Sequence, residues 1–274
     1  MNIHDIKRES QKRVLIAAHR GVAAGNIPCN TLPAFNRAIT DGADIIELDV
    51  AISKDNQLFV FHPGMENAHL NTNRLLKNMS ADEIRKLRYV NSDNTQTQFG
   101  ISTFDEALEF LKGKCLINVD KFWTNPKKIS DTIRNHNMTD DVLIKTPIDD
   151  EFISAVETYG YDFPYITIGY KDYEMHKKIK EMRINYVGIE VLFENEKQEC
   201  ARPEFISKMR DEEMLLWVNS IVYDYKTILA AGHNDDVSIM GEPQNGWGWL
   251  ERRGYNIIQT DWVKYVKEYF DARG

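Results

Sequence analysis

The stretch "IIELDVAISKDNQLFVFHP" (45–63) sets two carboxylates, Glu47 and Asp49, inside an otherwise apolar run and follows them with His62. Side chains alternate across a strand, so Glu47 and Asp49 share one face while Ile46, Leu48 and Val50 share the other. The apolar face can then lie under helices while both acids point to the axis of a closed sheet. Two desolvated anions at such spacing repel one another, and a divalent cation between them relieves the repulsion. Carboxylate oxygens are hard ligands that suit Mg²⁺ or Ca²⁺. The competing reading is an acid pair at a strand end, solvated or paired with lysines.

Similar runs recur along the whole chain: "VLIAAHR" (14–20), "DIIELDV" (44–50), "LFVFH" (58–62), "CLINVD" (115–120), "DVLIKT" (141–146), "YITIGY" (165–170), "YVGIEVLF" (186–193), "MLLWVN" (214–219) and "YNIIQTD" (255–261). Nearly all are apolar on both faces, as buried parallel strands are. Stretches with helical periodicity separate them, such as "SADEIRKLR", with Ser80 as cap, and "STFDEALEFLKG", opening at Ser102 or Thr103 and closing at Gly113. The pattern predicts a (β/α)8 TIM barrel, with 58–62 as an extra strand and 63–100 as a small insertion after the second barrel strand. A doubly wound open sheet is the alternative, but no G-x-G-x-x-G turn follows the first strand. With no low-complexity linker and no break in composition, residues 1–274 read as a single domain.

The 274 residues are 42% hydrophobic and 11% aromatic, enough for a full core. A net charge of −8 supplies no basic field for nucleic acid, so any phosphate must be met by local groups or a metal. No apolar run approaches the roughly 20 residues of a membrane helix, and "MNIHDIKRESQKR" lacks the apolar stretch of a signal peptide. The expected location is cytoplasmic. Cys29, Cys115 and Cys200 are distant from one another and odd in number, which argues for reduced thiols. Oligomeric state is not legible.

In a barrel, functional groups gather at the C-terminal ends of the strands. Those ends here read His19-Arg20, Glu47-Asp49, His62, Asp120, Lys145, Asn219 and Asp261. Each histidine alone is an ordinary structural residue, but two flanking an acid pair suggest a general acid and a general base. Arg20 offers a bidentate partner for a phosphoryl group, or else a surface ion pair.

These residues resemble the glycerophosphodiester phosphodiesterase family of metal-dependent TIM-barrel hydrolases. The resemblance runs through "AHRG" (18–21), "NTLPAFNRAITDGADIIELDVAISKDNQLFVFH" (30–62), "ISTFDEALEFLKGKCLINVDK" (101–121), "LLWVNS" (215–220) and "GYNIIQTD" (254–261). It implies His19 and His62 as the acid/base pair and Glu47, Asp49 and Asp120 as ligands of one divalent cation. It further implies a small-molecule phosphodiester substrate cleaved to glycerol 3-phosphate and an alcohol, in lipid or glycerol metabolism. The attacking oxygen is left open between water and a neighbouring glycerol hydroxyl, and so is the division of labour between the histidines. A cyclising lyase, a phosphodiesterase for lysophospholipids or sugar phosphodiesters, and an inactive binding protein are the alternatives.

The chain departs from the family pattern in several places. Cys29 stands where a Glu is usual and reads as a small buried thiol, and Pro63 stands where an Asp is common. The third acid is Asp120 rather than Glu, and the family's lysine two residues on is replaced by Phe122. Lys145 from the next strand is expected to take that lysine's place beside the substrate, and Trp217 to form a wall there. In the long loop "AAGHNDDVSIMGEPQNGWGWLERRG" (230–254), His233, Asp235 and Asp236 read as turn formers before they read as a second cation site. Trp247 and Trp249 read equally as a pocket cap or as helix packing.

Overall fold

The computed structural model describes residues 1–170 and 172–273. The apolar runs become nine strands: β1 (Leu15–His19), β2 (Ile45–Ile52), β3 (Leu58–Val60), β4 (Leu116–Asp120), β5 (Val142–Pro147), β6 (Tyr165–Ile168), β7 (Tyr186–Val191), β8 (Leu215–Asn219) and β9 (Ile257–Thr260). Eight of them run parallel in the order β1-β9-β8-β7-β6-β5-β4-β2, and the β1–β2 pairing closes the ring. This is the expected (β/α)8 barrel. The extra strand β3 lies antiparallel on β2, with Val60 opposite Val50.

Alternation along β2 works as the sequence implies. Ile46, Leu48 and Val50 point outward into the main core under the helices, together with Phe35, Phe104, Leu108, Ile117 and Val119. Ile45 points inward and packs with Leu15, Leu116, Leu143, Ile166, Val187, Leu215 and Ile257. Glu47 and Asp49 continue that inward face beyond Ile45. The two cores therefore leave one end of the axis to polar groups.

The opposite end is closed by a helix that the sequence pattern did not single out, Ile3–Ser10. Asn2 caps it, accepting from the His4 and Asp5 backbone N–H groups, and Asp5 accepts in return from the Asn2 N–H. Its Ile3 and Ile6 plug the inner core. The reciprocal caps at Ser80/Glu83 and Thr103/Glu106 start their helices at Ala81 and Phe104.

The insertion after β3 folds into the short helices Glu66–Leu70 and Ala81–Arg85 with a 3₁₀ turn, Leu76–Asn78, between them. It has its own core of Phe59, Phe61, Leu76, Met79, Ile84 and Tyr89. Glu66 is buried there and accepts from the backbone N–H groups of Gly64 and Leu76, tying the insertion to the segment after His62. Among the described residues no helix is long and apolar enough to cross a membrane.

Candidate active site

Strand register assembles the site. His19 is level with Glu47, and Asp49 is level with Asp120, so residues far apart in sequence reach the same rim. Ligand oxygens of Glu47, Asp49 and Asp120 all lie within 4.8 Å of one another. Glu47 and Asp49 are 1% and 0% exposed, so water does little to screen their repulsion. Burial, then Asp49, push Glu47 up to about 7 against the pull of Lys145 and His19.

The residues present fit a divalent cation. All three donors are hard oxygens, and Asp49 Oδ1 is buried with no hydrogen-bond partner among the described residues. The remaining lone pairs are partly held. The Arg20 backbone N–H donates to Glu47 Oε2 at 3.0 Å, and Asn30 Nδ2 donates to Asp49 Oδ2 at 2.9 Å. Asp120 accepts from Lys121 through both backbone N–H and Nζ, at 2.7 and 3.1 Å. Burial would raise Asp120, but Lys145 and Lys121 outweigh it and hold the carboxyl below its usual value.

The "HRG" turn has a steric logic. Arg20 adopts φ +58° and Gly21 φ +79°, and a Cβ on Gly21 would lie 2.7 Å from the backbone carbon of Ala34. This tight crossing brings the Arg20 N–H onto Glu47 and sets Arg20 Nε 2.9 Å from Asp49 Oδ2. It also brings Asn30, whose N–H donates to the Arg20 carbonyl, beside Asp49.

The two histidines stand in different settings. His19 Nδ1 lies 2.9 Å from Asp261 Oδ1, which identifies Nδ1 as the protonated nitrogen of the neutral ring. Burial disfavours the charged ring, but Asp261 and Glu47 outweigh it and hold His19 above the usual imidazole value. His62 lies across the cluster with Nε2 3.9 Å from Asp49 Oδ1. Burial holds His62 below the usual value despite Asp49. The neighbouring Phe61 N–H donates to the Asp49 carbonyl, which fixes where the His62 segment returns to the rim.

A cavity of about 240 Å³ opens over this rim, lined by His19, Glu47, Asp120, Lys121, Lys145, Glu190 and Tyr223 among others. Lys145 is therefore in the site, and it is buried, donating to Glu190 Oε2 at 3.0 Å while Asn219 Nδ2 donates to Glu190 Oε1 at 2.7 Å. Lys121 remains close as well, on Asp120. Trp217 requires a correction. It is 0% exposed, belongs to the inner barrel core and lies beneath Lys145, whose Nζ is 5.5 Å from the ring centroid. An odd-numbered inward position one layer lower explains this, and the aromatic walls of the cavity are instead Trp123 and Tyr223.

Glu190, Asn30 and Tyr223 are missing from the sequence-based set. Glu190 carried a readable signal, a lone acid inside the apolar "YVGIEVLF", the same anomaly that Glu47 presents. Cys29 is a half-buried free thiol, pushed up to about 11 by burial and so neutral. In the long loop, Asp235 and His233 make structural bonds, and Glu47, Asp49 and Asp120 form the one acidic or metal-ligating cluster found among the described residues. Trp247 is buried and Trp249 stacks on His233, so both pack the loop.

Fold and site together define a (β/α)8 barrel whose polar centre is a carboxylate cluster between two histidines at the C-terminal rim. The model of the glycerophosphoryl diester phosphodiesterase family matches residues 19–218, and the chain belongs to that family. It is 28% identical over 170 residues to a glycerophosphodiester phosphodiesterase of Caldanaerobacter subterraneus, covering 62% of this chain and 63% of that protein. The chain spans about three fifths of the length of the first curated relatives it matches. A glycerophosphoryl diester phosphodiesterase of Parabacteroides distasonis has the same fold, with a TM-score of 0.78 at 18% identity over 100% of this chain and 93% of that one. So does an Oleispira antarctica phosphodiesterase in complex with the product sn-glycerol-3-phosphate, with a TM-score of 0.70 at 14% identity over 95% and 98% of the two chains.

Proposed function

We propose that this chain hydrolyses glycerophosphodiesters to glycerol 3-phosphate and an alcohol, with His19 and His62 as the acid/base pair and Glu47, Asp49 and Asp120 as ligands of one Mg²⁺ or Ca²⁺. The observation that carries the reading is the convergence of three carboxylates, within 4.8 Å, between two histidines, one bonded to Asp261 and the other beside Asp49. Family membership and the product named for the Oleispira protein support the substrate class.

Glu47, Asp49 and Asp120 would hold the cation, which when bound would supply Lewis-acid stabilisation of phosphoryl charge. The protein's own groups do the rest. Arg20, Lys121 and Lys145 face the same phosphoryl charge, and their positions are fixed beforehand by Asp49, Asp120 and Glu190, so little reorganisation accompanies the reaction. His19, bonded through Nδ1, presents Nε2 for proton transfer. His62, across the cluster with Nε2 3.9 Å from Asp49 Oδ1, is its partner in proton transfer.

The test is a panel of glycerophosphodiesters assayed with and without chelator, beside the double substitution His19→Ala and His62→Ala. Turnover that requires a divalent ion and is lost in the double variant supports the scheme. Activity that survives chelation, or full activity in the variant, overturns it.

A further inference from the structure

A buried acid outside the carboxylate cluster, Asp235, sits at the centre of the long loop that follows β8 and is 2% exposed. Its Oδ1 accepts from Ser220 Oγ at 2.7 Å, Trp247 Nε1 at 2.7 Å and Thr260 Oγ1 at 2.8 Å. Its Oδ2 accepts from the backbone N–H of Asp261 at 3.0 Å, and its own N–H donates to the Ser220 carbonyl at 2.7 Å. One carboxylate thus joins the loop to the ends of both β8 and β9. Of these partners, Asp261 is hydrogen-bonded in turn to His19 at the rim.

Asp261 is the first residue beyond β9, and its side chain is 48% exposed, yet its Oδ1 must stay 2.9 Å from His19 Nδ1. An exposed carboxylate at a strand end holds such a position only if its backbone is fixed. Among the described residues the side-chain acceptor on the Asp261 N–H is Asp235. We infer that Asp235 is a positioning residue for His19: through the Asp261 backbone it holds the carboxylate that keeps His19 protonated on Nδ1 and leaves Nε2 to act. The loop of residues 220–249 then serves the chemistry by bracing a strand end. This rests on the proposed role of His19.

The substitution Asp235→Asn keeps size and shape. If the amide oxygen stays with Ser220, Trp247 and Thr260, the new NH₂ faces the Asp261 N–H, donor against donor. Trp247→Phe removes a bond from the same carboxylate but leaves the Asp261 contact, so it controls for general loosening of the loop. The measurements are kcat and KM on a glycerophosphodiester, and ¹⁵N NMR of the His19 ring nitrogens, which reports the tautomer without needing activity. Asp235→Asn is expected to lower kcat roughly tenfold to a hundredfold with KM little changed, and to move His19 away from the pure Nδ1–H form. Trp247→Phe should leave both readouts near wild type.

An unchanged His19 tautomer in Asp235→Asn overturns the inference, as does an equal effect of Trp247→Phe. An altered tautomer with unchanged kcat supports the positioning chain and overturns the acid/base role of His19, so the two failures are distinguishable. If Asp235→Asn does not fold, Ser220→Ala releases one donor from Oδ1 and should produce a smaller change of the same sign in the His19 spectrum; no change there overturns the inference.

Discussion

Glu47 is held between opposing influences, burial and Asp49 raising its pKa to about 7, Lys145 and His19 lowering it. A cation among the three acids would offset the repulsion and bind only the folded chain, so it should stabilise by mass action. At a hundredfold excess over Kd the expected gain is about 2.7 kcal/mol. Thermal melts with Mg²⁺ or Ca²⁺ against chelator are expected to show a higher Tm, and Glu47→Gln to shrink that difference. A wild-type Tm indifferent to both ions would count against the cluster as a cation site. Lys145 and Glu190 make a second residue-level case, with side chains 3% and 5% exposed. Glu190→Gln removes the carboxylate bonded to a buried ammonium and leaves it only the charges of Asp120 and Glu47, which is expected to cost up to about 3–5 kcal/mol. Urea unfolding at neutral pH reads this as a lower midpoint with unchanged slope. Lys177→Ala, at an exposed pair, should stay within about 0.5 kcal/mol of wild type.

Among the elements, the helix Tyr173–Glu181 is tied to the residue after the helix Pro203–Asp211 by Glu212, which accepts from Tyr173, His176 and Lys180. Burial alone would raise Glu212, but those bonds outweigh it and hold the carboxyl at about 2, below its ordinary 4.5. A depressed folded-state pKa means the stabilisation is full above about 4.5 and fades as pH falls toward 2. Glu212→Gln should therefore be less stable than wild type at pH 7, with the gap narrowing below pH 4.5. Paired denaturation curves check this, and a gap that widens on acidification would reject it. Elements were legible where one physical rule governed them. The two-sided apolar strands and the cap at Ser80 could be read directly, and the opening at Ser102 or Thr103 resolves to Thr103. The helix Ile3–Ser10 could not, because its apolar contribution is only Ile3 and Ile6 within a charged octapeptide. Trp217 was misplaced because strand periodicity gives the face a side chain takes but not the layer at which the barrel interior passes from packing to solvent.

At the scale of the molecule the barrel divides its labour along the axis. Ile3, Ile6 and the first inward residues of the strands fill one end, and the acids, histidines and lysines occupy the other. Why the site's full membership escaped the sequence follows from this geometry. Glu47, Asp49, Asp120, His62 and Asp261 lie at strand ends with a readable pattern, whereas Glu190 gains its role from Lys145, two places away in the ring, a pairing that only the closed barrel makes. The division also predicts separability. Ile6→Ala removes three carbons from a fully buried position in the plug and is expected to cost about 2–5 kcal/mol. The carboxylate cluster lies further along the inward faces, so kcat and KM at 25 °C should stay near wild type while the folded fraction is maintained. In β7, Val187 packs with the plug and Glu190 is three residues on, about 10 Å along the strand. Sites that far apart and not in direct contact add to a first approximation, so the combination of Ile6→Ala with Glu190→Gln should lose the sum of the single losses within about 0.5 kcal/mol. A larger coupling in the double-mutant cycle would mean that the inner core transmits strain from the plug to Lys145, with Trp217 as the residue that touches both levels.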